Sequence, residues 1–503
     1  MPVVAGVDSS TQSCKVELRD LHDGSLLGSG SAPHPPAFPP SSEQDPAAWW
    51  TALKAALGAA LRAAGDGAGV SPGDIAAIAV DGQCHGMVPL DSADRVLRPA
   101  KLWNDTTSAP QLERLKGLIG APEWIRATGS LPTAAFTLSK IAWLAENEPA
   151  HYRRLHRVLL PHDWLTWKLS GRYATDRSEA SGTGYYSAAQ SRYLPEVLAR
   201  VDAERDWTDA LPEVMNASTA VGALTATART ELGLPVGTLV GPGGGDQHAA
   251  ALGLGVVPGD IVYTFGTSGV VLSPSDSPVF DLHGIVDGVA DMTDGYLPLV
   301  STLNAARVTD TFARILGVGH QALAELALTA TATAGPVLVP YLDGERKPNR
   351  PGAQGILAGL TSATSREDIA RAAFEGVILG LLSGERHLNA AGVATAGRLI
   401  ATGGGARSAA YTQLLADLTG REVLVADAPE ASARGACVQA AAIASGRPVR
   451  DIRSEWAPAT RPAATPRPAS TDARERAYTV LAGWDALDGD GDRDRDGHMR
   501  ATT

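Results

Sequence analysis

Short apolar runs closed by glycine or hydroxyl-rich turns alternate along this chain with longer stretches that carry apolar residues every three or four positions. Residues 3–7 (Val-Val-Ala-Gly-Val) read as a buried strand, Asp8-Ser9-Ser10-Thr11-Gln12-Ser13 as a tight polar turn, and Cys14-Lys15-Val16-Glu17-Leu18 as a second strand. The same device recurs far downstream, where Ile261-Val262-Tyr263-Thr264-Phe265 meets Gly266-Thr267-Ser268-Gly269 and then Val270-Val271-Leu272. Residues 398–402 form a strand that runs into Gly403-Gly404-Gly405-Ala406-Arg407-Ser408, which opens a helix through Tyr411, Leu414, Leu415 and Leu418. Asp45 and Pro46 suit a helix start, since Asp caps and Pro fits the first turn; Trp49, Leu53, Ala56 and Leu57 follow at helical spacing. Residues 74–80 are a strand ending at the loop Asp81-Gly82-Gln83-Cys84-His85-Gly86. A long helix spans 365–391 and opens with Ser365 and Asp368 in capping-box spacing. The Pro-, Ala- and Thr-rich residues 457–470 predict a surface excursion, and a last helix over 472–487 packs back. Two hairpins with hydroxyl-rich tips, far apart in the chain, imply a duplicated α/β unit.

A chain of 503 residues exceeds one core. The helical and strand patterning is interrupted around Pro235 and Gly237, which predicts one domain over 1–238, a second over 239–487, and a disordered acidic tail over 488–503. That tail tempts a calcium-loop reading from Asp492, but the twelfth loop position is Thr503 where a bidentate Glu is needed. The net charge of −12 argues against a nucleic-acid or anionic-membrane surface. Three cysteines imply no disulfide framework and a reducing compartment. With neither a secretory signal nor a bilayer-length apolar run, the expected location is the cytoplasm. A homodimer is left open.

The candidate chemistry centres on Gly243-Gly244-Gly245-Asp246-Gln247-His248. It places a carboxylate directly after a side-chain-free turn, where backbone can approach a ligand closely. Such a carboxylate suits a general base that deprotonates a hydroxyl attacking a phosphate; taken alone, it equally suits a helix-capping Asp. Gly266, Thr267 and Ser268 suit a phosphate loop or a plain hairpin turn. The Gly403-Gly404-Gly405 turn points backbone N–H groups and a helix N-terminus outward. No P-loop motif occurs, and no clustered Cys/His spacing indicates structural zinc.

As a set, these segments resemble the FGGY carbohydrate kinases of the actin-like ATPase superfamily. Further matches are Leu102-Trp103-Asn104-Asp105, Leu160-Pro161-His162-Asp163-Trp164-Leu165 and Pro340-Tyr341-Leu342-Asp343-Gly344-Glu345-Arg346, and the resemblance runs from about residue 3 to about residue 482. The Gln-x-His-Gly of Gln83 to Gly86 leans towards the xylulokinase branch; glycerol kinases carry an Arg-Glu pair there. The resemblance implies a two-domain α/β fold of the actin-like (ribonuclease H-like) kind with a central cleft. It implies ATP and Mg2+ as cofactors and a sugar as substrate. Asp246 would be the general base, and Asp8 and Asp246 would hold the metal. Ser10, Thr11, Gly266, Thr267 and Ser268 would meet phosphates, and Gly404 and Gly405 the adenosine. Cys84, His85, Trp103 and Gln247 would contact or wall the sugar. His162 and Asp163 read as helix-start residues, and helical spacing turns His248 away from Asp246. Three departures stand out: Ser9-Ser10 replaces the commoner Asp-x-Gly-Thr turn, Cys84 stands where Met is frequent, and Gln247 where Asn is frequent. The expected reaction is phosphorylation of D-xylulose to D-xylulose 5-phosphate. Another ketose or polyol is the alternative within the family, and an actin-like ATPase or filament protein the alternative outside it.

Overall fold

Two sheets with one pairing pattern organise the computed structural model, which describes residues 1–330, 335–467 and 472–484. In the first, the strand order is Gly222–Ala223, Leu239–Val240, Ile75–Gly82, Val3–Ser9, Ser13–Asp20, Leu26–Pro33, with Gly244–Gly245 also paired to Ile75–Gly82. In the second it is Thr460–Ala464, Val423–Ala426, Leu399–Thr402, Ile261–Phe265, Gly269–Leu272, Leu299–Thr302. Read in these orders, both sheets run antiparallel, parallel, parallel, antiparallel, antiparallel. The duplication inferred from the two hairpins is therefore a duplication of the whole sheet. The Ser10–Thr11 turn and the Thr267–Ser268 turn occupy equivalent positions in their respective units.

The contacts do not divide at a single point near 238/239. One unit comprises Met1–Val257, Pro274–Pro298 and Asp427–Ala459; the other comprises Pro258–Ser273, Leu299–Ala426 and the chain from Thr460 onward. The reason is pairing and burial. Leu239–Val240 and Gly244–Gly245 extend the first sheet, and the helix Ala431–Ser445 covers that sheet's second face.

Strand Val3–Ser9 is buried on both sides, as a central strand with helices on both faces must be. Val3, Ala5 and Val7 point to a core that includes Trp49, Leu53, Ala56 and Ala60 of the helix Pro46–Ala68. Val4 points the other way, to a core with Ala436, Cys437 and Ala440 of the helix Ala431–Ser445. This alternation is the period-two geometry of a strand. The Pro46–Ala68 helix starts as expected, with the Asp45 carboxylate accepting from Ala47 N at 2.9 Å. Helix Arg366–Ala390 has the Ser365/Asp368 capping box.

Three local expectations change. The first strand continues through Ser9, so Asp8 lies in the strand and not in the turn. Residues 460–464 are an edge strand of the second sheet rather than a surface excursion; an edge tolerates Pro462, which has no ladder donor. The turn after Gly403 is a 3-10 helix, Gly404–Arg407, and the α-helix begins after it, Ala409–Thr419. The last helix is Asp472–Ala482; its expected extension to 487 and the acidic 488–503 tail with its calcium-loop pattern lie largely or wholly outside the described residues.

One helix crossing in the first unit is unusually close. Asp246–Gly253 lies against Ala431–Ser445 so tightly that a Cβ at Gly435 would stand 1.9 Å from the Ala249 carbonyl oxygen.

Candidate active site

Three neighbouring strands of the first sheet end in acids. Asp8 and Asp81 face each other in register on the parallel strands Val3–Ser9 and Ile75–Gly82. On the other side of Ile75–Gly82, Gly244 pairs with Asp81 and Gly245 with Gly82, and the next residue, Asp246, begins the helix Asp246–Gly253. The carboxyl ends of parallel strands are where α/β sheets bind ligands. Burial pushes Asp8 up to about 6, opposed by the hydroxyl of Ser10, which donates to its Oδ1. Burial, and then the charge of Asp8, push Asp246 up to about 7. Asp81 is raised well above the usual range by burial and then by Asp8. Asp8, Asp81 and Asp246 thus bring carboxylate oxygens alone to these strand ends, the donor type that suits a hard divalent cation.

Beside Asp246 lies a second cluster. Cys84 Sγ donates to Asp246 Oδ1 at 3.4 Å. His85 sits in the left-handed region, φ 62°, and its backbone N–H donates to Glu179 Oε1. Its ring stacks on Phe136 with centroids 4.9 Å apart and an 11° interplanar angle, and its Nδ1 is 3.4 Å from Glu179 Oε1. Glu179 is fully buried and is pushed up to about 8, chiefly by that burial. It reaches the cluster from the short helix Arg177–Ser181, capped by Asp176, whose side chain accepts from Ser178 N and Glu179 N. Gln247 is half-buried, and its backbone N–H donates to Asp246 Oδ1 at 2.7 Å. Trp103 Nε1 donates to Thr11 Oγ1 at 2.9 Å, which ties the Leu102-Trp103 loop to the hairpin tip.

Thus Asp8, Ser10, Thr11, Cys84, His85, Trp103, Asp246 and Gln247 gather in the first unit. His162 and Asp163 behave as helix-start residues: Asp163 Oδ2 accepts from Leu160 N at 2.8 Å. Asp105 is a buried ion-pair partner of Lys101, at 3.1 Å. His248 turns toward the second cluster. It is 4 % exposed, and its ring comes within 4.8 Å of donor atoms of Cys84 and Glu179. Room for this exists because residue 245 has no side chain: a Cβ there would stand 2.5 Å from Glu179 Oε2, 2.7 Å from His248 Nδ1 and 2.8 Å from Cys84 Sγ. The sequence reading missed Asp81 as a member of the acid cluster, although it heads the loop motif, and missed Glu179 altogether.

The second unit presents its own turns. Gly266 N donates to Ser268 O at 3.1 Å, and Gly266 O accepts from Ala306 N at 3.0 Å, so the Gly266–Ser268 turn is braced from both sides. Thr267 at its tip is exposed. Gly404 is also exposed and Gly405 half-buried; that turn is held against Phe265, whose ring stacks on Tyr411 at 4.6 Å. Both turns are therefore backbone-rich, accessible and anchored by apolar residues beneath them.

Comparison with known proteins agrees with this geometry. Residues 3–253 match the N-terminal domain of the FGGY family of carbohydrate kinases, and residues 261–444 match its C-terminal domain. The chain is 40% identical over 464 residues to a xylulose kinase of Streptomyces coelicolor, covering 92% of each chain. It is 40% identical over 462 residues to one of Streptomyces rubiginosus, again covering 92% of each. The crystal structure of a xylulose kinase from Bifidobacterium adolescentis superposes with a TM-score of 0.83 at 37% identity, covering 96% of this chain and 99% of that one. Two duplicated sheets, an acid cluster at the strand ends of the first, and matches to both family domains lead to one conclusion: the chain belongs to the FGGY family of carbohydrate kinases.

Proposed function

We propose that the protein transfers the γ-phosphate of ATP to D-xylulose, giving D-xylulose 5-phosphate. The observation that carries this reading is the position of Asp246, flanked by the acids Asp8 and Asp81 on one side and by the hydrogen-bonding pair Cys84 and His85 on the other. One side suits a metal-bound phosphate and the other a sugar hydroxyl. Asp246 takes the proton from the sugar's C5 hydroxyl as its oxygen bonds to the γ-phosphorus. The bond from that phosphorus to the bridging oxygen breaks, and ADP departs with the bond's electron pair. His85, held by Glu179 and Phe136, orients the sugar through hydrogen bonds, assisted by Cys84, Gln247 and the wall of Trp103. Asp8 and Asp246 supply the carboxylates for Mg2+, which, when bound, neutralises charge on the transferring phosphoryl group. Ser10, Thr11, Thr267 and Ser268 offer hydroxyls to phosphates, and Gly266 lets backbone approach them. Gly404 and Gly405 let backbone lie close to the adenosine.

Substrate identity is tested by a coupled ADP assay over pentuloses, hexuloses and polyols. D-xylulose should give the highest kcat/KM; a different sugar at the top would replace it in this reading.

His85→Ala should act on the sugar and not on the nucleotide. A buried hydroxyl deprived of its partner loses ~1–3 kcal/mol, so the apparent KM for xylulose should rise roughly 5- to 150-fold while that for ATP stays within about 2-fold. Equal effects on both substrates would return His85 to a purely structural role.

The acids also predict a coupling between pH and metal. Asp8, Asp246 and Glu179 have folded-state values raised to about 6, 7 and 8 from ordinary carboxylate values. The folded state therefore holds more protons than the unfolded chain in that window, and these groups cost stability as pH rises from about 4 to about 8. A divalent cation binds the deprotonated carboxylates, so its stabilisation grows over the same range. Melting temperatures with and without Mg2+ should diverge between pH 5 and pH 8, and a Mg2+ effect larger at pH 5 would contradict the assigned acids.

A further inference from the structure

Beside the oxygen-only cluster lies a donor set of different chemistry. Cys84 Sγ, a Glu179 carboxylate oxygen and a His248 ring nitrogen all lie within 4.8 Å of one another. Glu179 is fully buried and His248 is 4 % exposed, whereas Cys84 is half-buried. Neither ring nitrogen of His248 has a hydrogen-bond partner among the described residues. A buried imidazole normally satisfies at least one nitrogen, because leaving it unmade costs free energy. The three donor atoms converge on a residue without a side chain: a Cβ on Gly245 would stand only 2.5 to 2.8 Å from Glu179 Oε2, His248 Nδ1 and Cys84 Sγ, so glycine there is what lets them approach one another.

We infer that Cys84, Glu179 and His248 form a metal site for a soft or borderline divalent ion of the Zn2+ and Co2+ class, separate from the carboxylate set Asp8 and Asp246. One sulfur, one imidazole nitrogen and one carboxylate oxygen are a ligand set that Zn2+ accepts, with water in the fourth position. Mg2+ prefers oxygen alone, so the two sites divide the ions by softness. Metal–ligand bonds of ~2.0–2.3 Å require the three atoms, which lie within 4.8 Å of one another, to close on a common point. On binding, the Cys84 thiol gives up its proton to solvent, and the thiolate, the carboxylate and a neutral imidazole meet the ion. The three residues are scattered along the chain, so no spacing motif announces them. His248 gains the partner it lacks, and Cys84 exchanges its contact with Asp246 for a bond to metal.

The test uses the full chain, stripped with a chelator and titrated with Co2+ alone. A thiolate-to-cobalt charge-transfer band should rise in the near ultraviolet and saturate at one ion per chain. Excess Mg2+ should leave it in place. Cys84→Ser should abolish the band, since Cys14 and Cys437 are buried elsewhere. His248→Gln should keep the thiol but weaken Co2+ binding by about 10-fold or more, because even loss of an outer-shell partner costs that much. Zn2+ alone should raise the melting temperature of the parent and of neither variant, and the metal-free melting temperature of each variant reports whether its fold is kept. No band with excess Co2+, a band that survives Cys84→Ser, or unchanged affinity in a folded His248→Gln would each overturn the assignment.

Discussion

Asp246→Asn should lower phosphoryl transfer by ~10²–10⁴-fold while leaving ATP binding close to that of the parent. The amide keeps the shape of the side chain and its hydrogen bond with Gln247 N, but it cannot take a proton from the sugar hydroxyl. The nucleotide contacts assigned to Gly404, Gly405 and the Gly266–Ser268 turn belong to the other unit. Stability should hold or rise slightly, since one of three crowded acids loses its charge and Asp8 loses a repelling neighbour. Steady-state turnover at saturating xylulose, paired with ATP binding by calorimetry, checks both halves. Near-parental turnover would remove Asp246 from the role of base, and equal loss of ATP binding would make it a structural or metal-holding group only.

Gly435→Val should be strongly destabilising and should also depress activity. At this position a side chain meets backbone: the first carbon would lie 1.9 Å from the Ala249 carbonyl oxygen, far inside contact distance. Neither partner can rotate away, so the helices Asp246–Gly253 and Ala431–Ser445 must separate. Overpacking of this kind typically costs ~1–3 kcal/mol, and more where backbone must move. The first helix carries Asp246 at its start, and the second packs on the strand that carries Asp8. Separation therefore loosens both acids together. A lowered melting temperature with reduced turnover per folded molecule is the expected result. An unchanged melting temperature would mean that the crossing yields far more easily than its geometry implies.

Much of the fold was legible because it is carried by local pattern. The apolar run of 3–7, the capped start at Asp45 and Pro46, and the Ser365/Asp368 box are each readable within a few residues. The repeated hairpin disclosed the duplication because a turn between two strands is also a local feature. What escaped was decided by partners distant in sequence. Residues 460–464 look like a loop by composition and become a strand only because Val423–Ala426 offers an edge. Glu179 sits in a five-residue helix with no motif of its own, and tertiary contact alone brings it to His85 and Cys84. That His248 comes to Cys84 and Glu179 is decided by Gly245, whose missing side chain lets their donor atoms converge, and helical spacing does not reveal it. Within the acid cluster, Asp8 and Asp246 stood out by their glycine and hydroxyl neighbours, whereas Asp81 depended on strand register.

The helix Ala431–Ser445 belongs to the first unit, although the chain completes most of the second unit before reaching it. During synthesis, the strands Val3–Ser9 and Ile75–Gly82 leave the ribosome long before the helix that covers Val4, Ala77 and Ala79. One apolar face of the nascent first sheet must therefore wait uncovered while more than three hundred further residues are made. Translation at ~5–20 residues per second makes that wait tens of seconds. The nascent chain should consequently be a substrate for chaperones that shield apolar surface, and fragments ending before residue 431 should aggregate where the full chain does not.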